Sequence, residues 1–427
     1  MKPTILVATT ARWFPTTRLA MALAKAGFAL EAVCPSGHTL GRTSAVRRTH
    51  TYRALTPLAS FANAINAATP DLIIPGDDLA TRQLHLLYKR ERDSGKAGAQ
   101  ICELIERSMG GAEGFDVVYA RAAFLQMAQE EGVRTPKTEI VANTQDLRNW
   151  IARMGFPTVL KANGTSGGDG VKVVNTVEEA ERAFRKLQEP PLMARAIKRA
   201  LVNRDPTLVW PSLFRRRFVV NAQAFVAGRE ATSTIACWHG KVLASLHFEV
   251  LKKTGSTGHA TVLRLIEHPE MTATAETIAQ RFRLSGLHGL DFMLEAHSGN
   301  AHLIEINPRT TQVGHLALGL ERDLPAALYA ALTGKDAQAA AKVTENDTVA
   351  LFPQEWARDP KSEFLHSAYH DVPWEEPKLI RSCIRKAKHV TRSSRRGLAA
   401  AFSGDRRLSP VVAPSQSGSV RLDCKAE

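Results

Sequence analysis

Glu305-Ile306-Asn307-Pro308-Arg309, read together with Lys161-Ala162-Asn163-Gly164-Thr165-Ser166-Gly167-Gly168-Asp169-Gly170, decides the fold. The first stretch sets a carboxylate, a carboxamide and a guanidinium at alternate positions of an apolar strand. Side chains i and i+2 of a strand share a face, so Glu305, Asn307 and Arg309 are expected together, with Ile304 and Ile306 turned to the core. Upstream, Gly289-Leu-Asp291-Phe-Met-Leu-Glu295 alternates in the same way, and His297-Ser298-Gly299-Asn300 is turn chemistry, so the two segments read as a hairpin. An odd loop would put Asp291 on the face of Glu305 and Asn307; an even loop would turn it away. Magnesium takes oxygen ligands, commonly one or two carboxylates plus substrate phosphates, and Asp291, Glu305 and Asn307 meet that need.

The second stretch joins two short apolar segments, Phe156–Lys161 and Val171–Val174. Glycine amides approach phosphate oxygens without Cβ interference, and Lys161 adds a point charge. The pattern is not a P-loop, because no GxxxxGK[ST] precedes a helix, and not a dinucleotide fingerprint, because a strand follows. A surface turn has the same composition; the downstream carboxylates are what favour a phosphate site.

Together these segments resemble the ATP-grasp superfamily, in particular its carbamoyl-phosphate synthase and biotin carboxylase branch. The resemblance runs from about Phe115 to Gly334. It implies an α/β architecture: an N-terminal open parallel (Rossmann-like) domain, then two α+β lobes that clamp ATP. Tyr119 to Pro136 looks like the family's opening helix, with Arg121 at its phosphate-contacting position. Lys161 matches the strand lysine, and Gly164, Ser166, Gly167, Gly168 and Gly170 match the loop over the phosphates. Gln223, Phe225 and Val226 resemble the hinge that pairs with adenine, and Glu230 the acid near the ribose. Asp291, Glu305 and Asn307 stand at the Mg²⁺ (or Mn²⁺) positions. Arg309 follows as the substrate or transition-state arginine, and with Lys161 forms the expected catalytic pair. Leu316 to Leu320 and Leu324 to Gly334 resemble the closing helices. Ala224 stands where the family usually carries a charged residue, and Gly314 where biotin carboxylases place an acid. Neither a biotinyl-lysine motif nor a second copy of the domain occurs in these residues. The resemblance implies an ATP-dependent carboxylate–amine ligase that activates a small-molecule carboxylate, or bicarbonate, for attack by an amine or another nucleophile; a non-catalytic ATP-binding regulator on the same fold is the alternative.

The remaining chain fits that expectation. Its 427 residues, 44% hydrophobic and 23% charged, suggest two to three domains. We divide them as 1–114 (the α/β domain), 115–226 (the glycine-loop lobe, with a basic insertion at 194–218), 227–340 (the metal lobe), 341–377 (a small extension) and 378–427 (a basic tail expected to lack order). Five scattered cysteines and no long apolar run point to a reducing, cytoplasmic setting. Thr4–Ala8, Phe28–Val33 and Asp71–Pro75 read as parallel strands, with a helix over Thr17–Ala26. Asp77 and Asp78, at a strand's carboxyl end, are candidates for an amine substrate or, more simply, for a helix cap. The formal charge of +14 concentrates in Arg195–Arg217 and Lys378–Arg407. Those segments suit a solubilising face, an anionic membrane surface or nucleic acid. Trp356 and Trp374 read as packing anchors. A homodimer is compatible with the sequence.

Overall fold

The computed structural model describes residues 2–163, 170–189, 218–255, 258–335 and 341–390, with side chains through 384. Residues 1–383 form one compact unit, and the chain from Ile384 onward forms a second. The division at 114, 226, 340 and 377 remains a proposed one within the first unit, and the tail expected to lack order from 378 instead begins as a helix, Pro377–Val390, because Leu379, Ile380 and Cys383 find a buried face to pack on.

The N-terminal sheet is parallel, as the β-α-β alternation predicts. Its strands are β1 (Thr4–Ala8), β2 (Ala29–Cys34), β3 (Arg48–Thr51) and β4 (Leu72–Pro75), in the order β3-β2-β1-β4. The helix after β1 starts at Phe14, three residues before the predicted start, because Pro15 suits the first turn, where no amide partner is lost. Gly27 ends it at φ 117°, a conformation open to glycine. Leu6, Ala8 and Ile73 face the helices on one side of the sheet, packed with Phe61, Leu84 and Ile105. Ile5, Val7 and Leu30 face the other way and pack with Phe248, Leu263 and Leu328 of the metal lobe. One core therefore fuses this sheet to the next layer.

The glycine-loop lobe carries β5 (Thr138–Val141), β6 (Thr158–Ala162), β7 (Val171–Val174) and β8 (Val220–Ala224) in the order β5-β8-β6-β7. Trp150, Phe184, Leu160 and Val220 share its core. The sequence reading begins β6 at Phe156; the strand begins at Thr158, and Phe156 is partly exposed.

The metal lobe is one antiparallel sheet extended by the small extension. It contains β9 (Gly228–Trp238), β10 (Lys241–Lys253), β11 (Ala260–Leu265), β12 (Gly286–Glu295), β13 (Ala301–Asn307), β14 (Thr348–Leu351) and β15 (Tyr369–Asp371). The order is β13-β12-β9-β10-β11-β14-β15, with β15 parallel to β14. Glycine is required at 228: a Cβ there would stand 1.9 Å from the Leu294 carbonyl oxygen. Of the two predicted closing helices, Leu324–Thr333 forms. Leu316–Leu320 does not; its residues lie in an irregular segment that ends in a 3-10 turn at Leu320–Arg322. Trp356 is buried as expected, but Trp374 is 64% exposed and anchors no core. No helix among the described residues is long and apolar enough to cross a membrane.

Asp77 is a structural staple. Its carboxylate accepts from Thr9 Oγ1 (2.6 Å), Thr10 N (2.6 Å), Thr10 Oγ1 (2.8 Å), Ala11 N (3.1 Å) and Ala80 N (2.9 Å). These bonds tie the loop after β1 to the cap of the helix Asp78–Asp93. The cap reading of Asp77 therefore holds, and no acceptor position is left for a substrate amine. Replacing Asp77 by Ala strands several part-buried donors and is expected to cost about 3 kcal/mol. Urea denaturation with a midpoint unchanged from wild type would contradict this assignment.

Candidate functional site

The two predicted halves of the site meet where the lobes join. On the metal side, Leu294 pairs with Ala301, so an even number of residues, the six from 295 to 300, separates the first paired positions of the hairpin. By alternation alone Asp291 would then oppose Ile304. A bulge intervenes: Phe292 pairs with Leu303, and the next rung pairs Asp291 with Glu305. Ile304 is the unpaired extra residue. It drops out of the core, contrary to the strict alternation read from sequence, while Leu303 and Ile306 stay in it. The bulge returns Glu305 and Asn307 to the face of Asp291.

Asp291 is held from two sides. Thr232 Oγ1 on β9 donates to its Oδ1 at 2.8 Å, and Asn307 Nδ2 donates to its Oδ2 at 2.9 Å. Burial pushes its pKa up, and the neighbouring Glu305 adds to the rise against those hydrogen bonds. Glu305 Oε2 takes a bond from Arg121 Nη2 at 2.9 Å. Two neighbouring carboxylates that disfavour each other, with a carboxamide beside them, suit a divalent cation. No group of three or more His, Cys, Asp or Glu side chains with metal-binding geometry occurs among the described residues. The fit therefore rests on Asp291, Glu305 and the amide oxygen of Asn307, with remaining positions for phosphate and water oxygens.

The facing cations come from other elements. Arg121 opens the helix Arg121–Glu130. Its Nε and Nη1 are buried without a hydrogen-bond partner among the described residues. Unpaired buried donors are costly, so their presence marks a place for an anionic acceptor. Lys161, on β6, is 6% exposed. Its pKa falls to about 8, first through burial and then through Arg121, with Glu305, Asp291 and Glu230 opposing the fall. These groups sense one another across both lobes.

Arg309 is less free than the sequence suggests. Its Nε donates to Asp78 at 2.8 Å, Nη1 to the Thr310 carbonyl at 3.0 Å and Nη2 to Asn307 Oδ1 at 3.3 Å. The guanidinium also lies 5.4 Å from the Trp13 ring centroid. Three of its five N–H bonds are used, so two remain for a substrate. Asp78 is thus a partner of Arg309 and not a free amine site. Its place after β4 makes Asp78 visible in the sequence, but its partner is not; Trp13 and Thr232 escape sequence reasoning altogether, since neither lies in a motif.

Along the hinge, Gln223 is buried, and its Nε2 donates to Thr138 Oγ1 at 3.0 Å. Phe225 is exposed and Val226 half-buried. A cavity of about 460 Å³ lies against this segment, bounded by Lys137, Met154, Phe225, Val226, Glu295 and His302. Glu230 pairs with Lys253. Gly170 is buried, and its carbonyl accepts from Ala162 N at 2.9 Å. Gly164, Ser166, Gly167 and Gly168, like the basic insertion up to 217, lie outside the described residues.

The depressed pKa of Lys161 carries a stability cost with a definite pH window. The folded value of about 8 lies below the ordinary lysine value of 10.5, so the penalty is full below pH 8 and fades by about pH 10.5. Lys161→Met is expected to stabilise the nucleotide-free protein by about 2 kcal/mol at pH 7, with the gain vanishing toward pH 10.5. Melting curves across this range in which the variant gains nothing at pH 7 would refute it.

Residues 118–204 match a family model described as phosphoribosylglycinamide synthetase, ATP-grasp (A) domain, and residues 210–313 match one described as ATP-grasp domain. The chain is 34% identical over 130 residues to the formate-dependent phosphoribosylglycinamide formyltransferase of Hahella chejuensis, covering 26% of this chain and 31% of that protein. It is 19% identical over 205 residues to the arginine-specific large chain of Bacillus subtilis carbamoyl phosphate synthase, covering 46% and 17%. The chain thus spans less than a third of the length of these curated relatives. Among solved structures, the biotin carboxylase domain of Hydrogenobacter thermophilus 2-oxoglutarate carboxylase, in complex with MgADP and bicarbonate, superposes with a TM-score of 0.56 at 14% identity over 80% of this chain and 71% of that one. The N5-carboxyaminoimidazole ribonucleotide synthetase of Thermus thermophilus gives 0.53 at 17% identity over 79% and 80%. These likenesses establish the fold, and the two domain matches place residues 118–204 and 210–313 in the ATP-grasp superfamily.

Proposed function

We propose that this protein is an ATP- and Mg²⁺-dependent ligase that activates a carboxylate, or bicarbonate, as an acyl phosphate for attack by an amine or another nucleophile. One observation carries the reading. Asp291, Glu305 and Asn307 face Arg121 and Lys161 at the junction of the lobes, and Arg121 keeps two buried donor nitrogens without partners among the described residues.

In this reading the adenine lies along Gln223–Val226, the ribose near Glu230 and the phosphates between Lys161, Arg121 and the glycine loop Gly164–Gly170. Asp291, Glu305 and Asn307 hold the cation. When bound, it would screen the β- and γ-phosphate oxygens and so favour their approach by an anionic nucleophile. A carboxylate oxygen attacks the γ-phosphorus, ADP departs, and the nucleophile then displaces phosphate from the acyl carbon. Lys161 and Arg121 stabilise the charge on the transferring group. Arg309, fixed by Asp78 and Trp13, offers its two remaining N–H bonds to the carboxylate. The names of the curated relatives, a synthase and a formyltransferase, support ATP-driven bond formation. The same carboxylates accept Mn²⁺, and a homodimer remains compatible.

The test is ADP and phosphate release from ATP and Mg²⁺, screened against pools of carboxylic acids and amines. Release that requires one carboxylate, and that falls by about a thousandfold in Glu305→Gln and Lys161→Ala, is expected. Normal turnover in both variants, or tight nucleotide binding with no turnover for any pool, would remove the ligase reading.

Asp78→Asn gives a separate expectation. It loosens Arg309 and is expected to lower turnover by about ten- to a hundredfold while leaving nucleotide affinity as in wild type. Equal losses in nucleotide affinity and turnover would show that Asp78 does not act through Arg309.

A further inference from the structure

We infer that the face formed by β3 and the start of the helix Pro377–Val390 is a docking surface for a layer of anionic lipid headgroups. The inference does not depend on the ligase reading.

The edge of the N-terminal sheet is β3. An open edge exposes unpaired backbone groups and is commonly guarded by charge. Here the guard is uniformly positive. Ser36 to Thr56 contains Arg42, Arg47, Arg48 and Arg53 and no Asp or Glu. All four arginines are exposed.

The helix from Pro377 continues this surface. Arg42 Nη1 donates to Ser382 Oγ at 2.9 Å, which sets the helix beside the arginine-bearing segment. Leu379, Ile380, Ser382 and Cys383 are buried, whereas Lys378 and Arg381 are exposed. The spacing of three puts the two cations on one side of the helix. The sequence from Pro377 to Gly404 holds no acid. The neighbouring acids are spent. Glu376 accepts from Thr43 Oγ1 at 2.8 Å and Ser44 N at 3.2 Å. Glu375 stands 3.6 Å from Arg18 Nη1. Arg47, Arg48, Lys378 and Arg381 make no ion pair among the described residues. Just ahead of the helix, Trp374 is 64% exposed.

A broad cationic face with one protruding tryptophan suits a headgroup layer, where basic side chains meet phosphates and an indole sits at the interface. Single-stranded nucleic acid is held differently, by a series of aromatic platforms along the backbone. On this face Tyr52 is buried and His50 is bonded to Glu31 at 2.7 Å, which leaves Trp374 alone among the described residues.

The experiment is co-sedimentation of the full chain with phosphatidylcholine vesicles, with and without phosphatidylglycerol, at low and high salt. Wild type is expected to bind phosphatidylglycerol vesicles in a salt-sensitive manner. The combined variant Arg47→Glu, Arg48→Glu, Lys378→Glu and Arg381→Glu is expected to lose on the order of a hundredfold in affinity or more. Trp374→Ala is expected to bind more weakly than wild type. The corresponding glutamine variant carries the test if the glutamate variant melts early. Equal binding by wild type and the folded variant overturns the inference. So does failure of wild type to bind, or binding of a single-stranded oligonucleotide in preference to the vesicles.

Discussion

The pairing of β12 with β13 slips by one residue at Ile304, and the chemistry of the cleft depends on that slip. A strand has a side-chain period of two, so a slip of one exchanges its faces. Before the bulge, Leu303 belongs to the core; after it, Ile306 does. The exchange lets β13 keep an apolar face along its whole length and still turn Glu305 and Asn307 toward Asp291. Without it, the even loop would place the two carboxylates on opposite faces, and no shared cation could reach both.

The groups gathered there are held at a cost. Burial raises Asp291 and lowers Lys161, each moving toward its neutral form. Charged groups taken out of water are tolerated when opposite charges and hydrogen bonds surround them. Here the compensation is shared among separate elements: Arg121 from the connecting helix, Lys161 from the glycine-loop lobe, Thr232 from β9. Among the described residues the balance is incomplete, as the two unpartnered donor nitrogens of Arg121 show. An incomplete balance in a folded protein is what a site awaiting a charged ligand requires.

The N-terminal sheet is a working part of this site and not a passive neighbour. Asp77 fixes the loop after β1, that loop carries Trp13, and Trp13 with Asp78 fixes Arg309. A second link lies deeper. Asp371 on β15 binds both Arg18, on the first helix, and His315, just beyond Arg309, the latter at 2.6 Å. Burial works to raise the Asp371 carboxyl, but His315 and Arg18 hold it below the usual range. Three stretches distant in sequence are thereby pinned around one arginine.

The sequence alone determined the elements whose cause is local. Apolar alternation marked β12 and β13, glycine density marked the loop after β6, and strand–helix alternation marked the parallel sheet. The positions of Asp291, Glu305, Asn307 and Lys161 were legible because each lies within such a pattern, whereas Arg121 came only from the resemblance of its helix to the ATP-grasp family's opening helix. Tertiary structure alone decided the rest. Whether Asp291 faces Glu305 turned on a bulge, because the loop length by itself predicts the opposite. Whether Asp78 was a free carboxylate turned on Arg309, more than two hundred residues away, since an ion pair leaves no trace in the local sequence of either partner. Trp374 read as an anchor because aromatic residues usually pack, but the extension that carries it joins the sheet edge and leaves the indole outside. Periodicity reports which face a residue takes; only the packed chain reports what stands opposite that face.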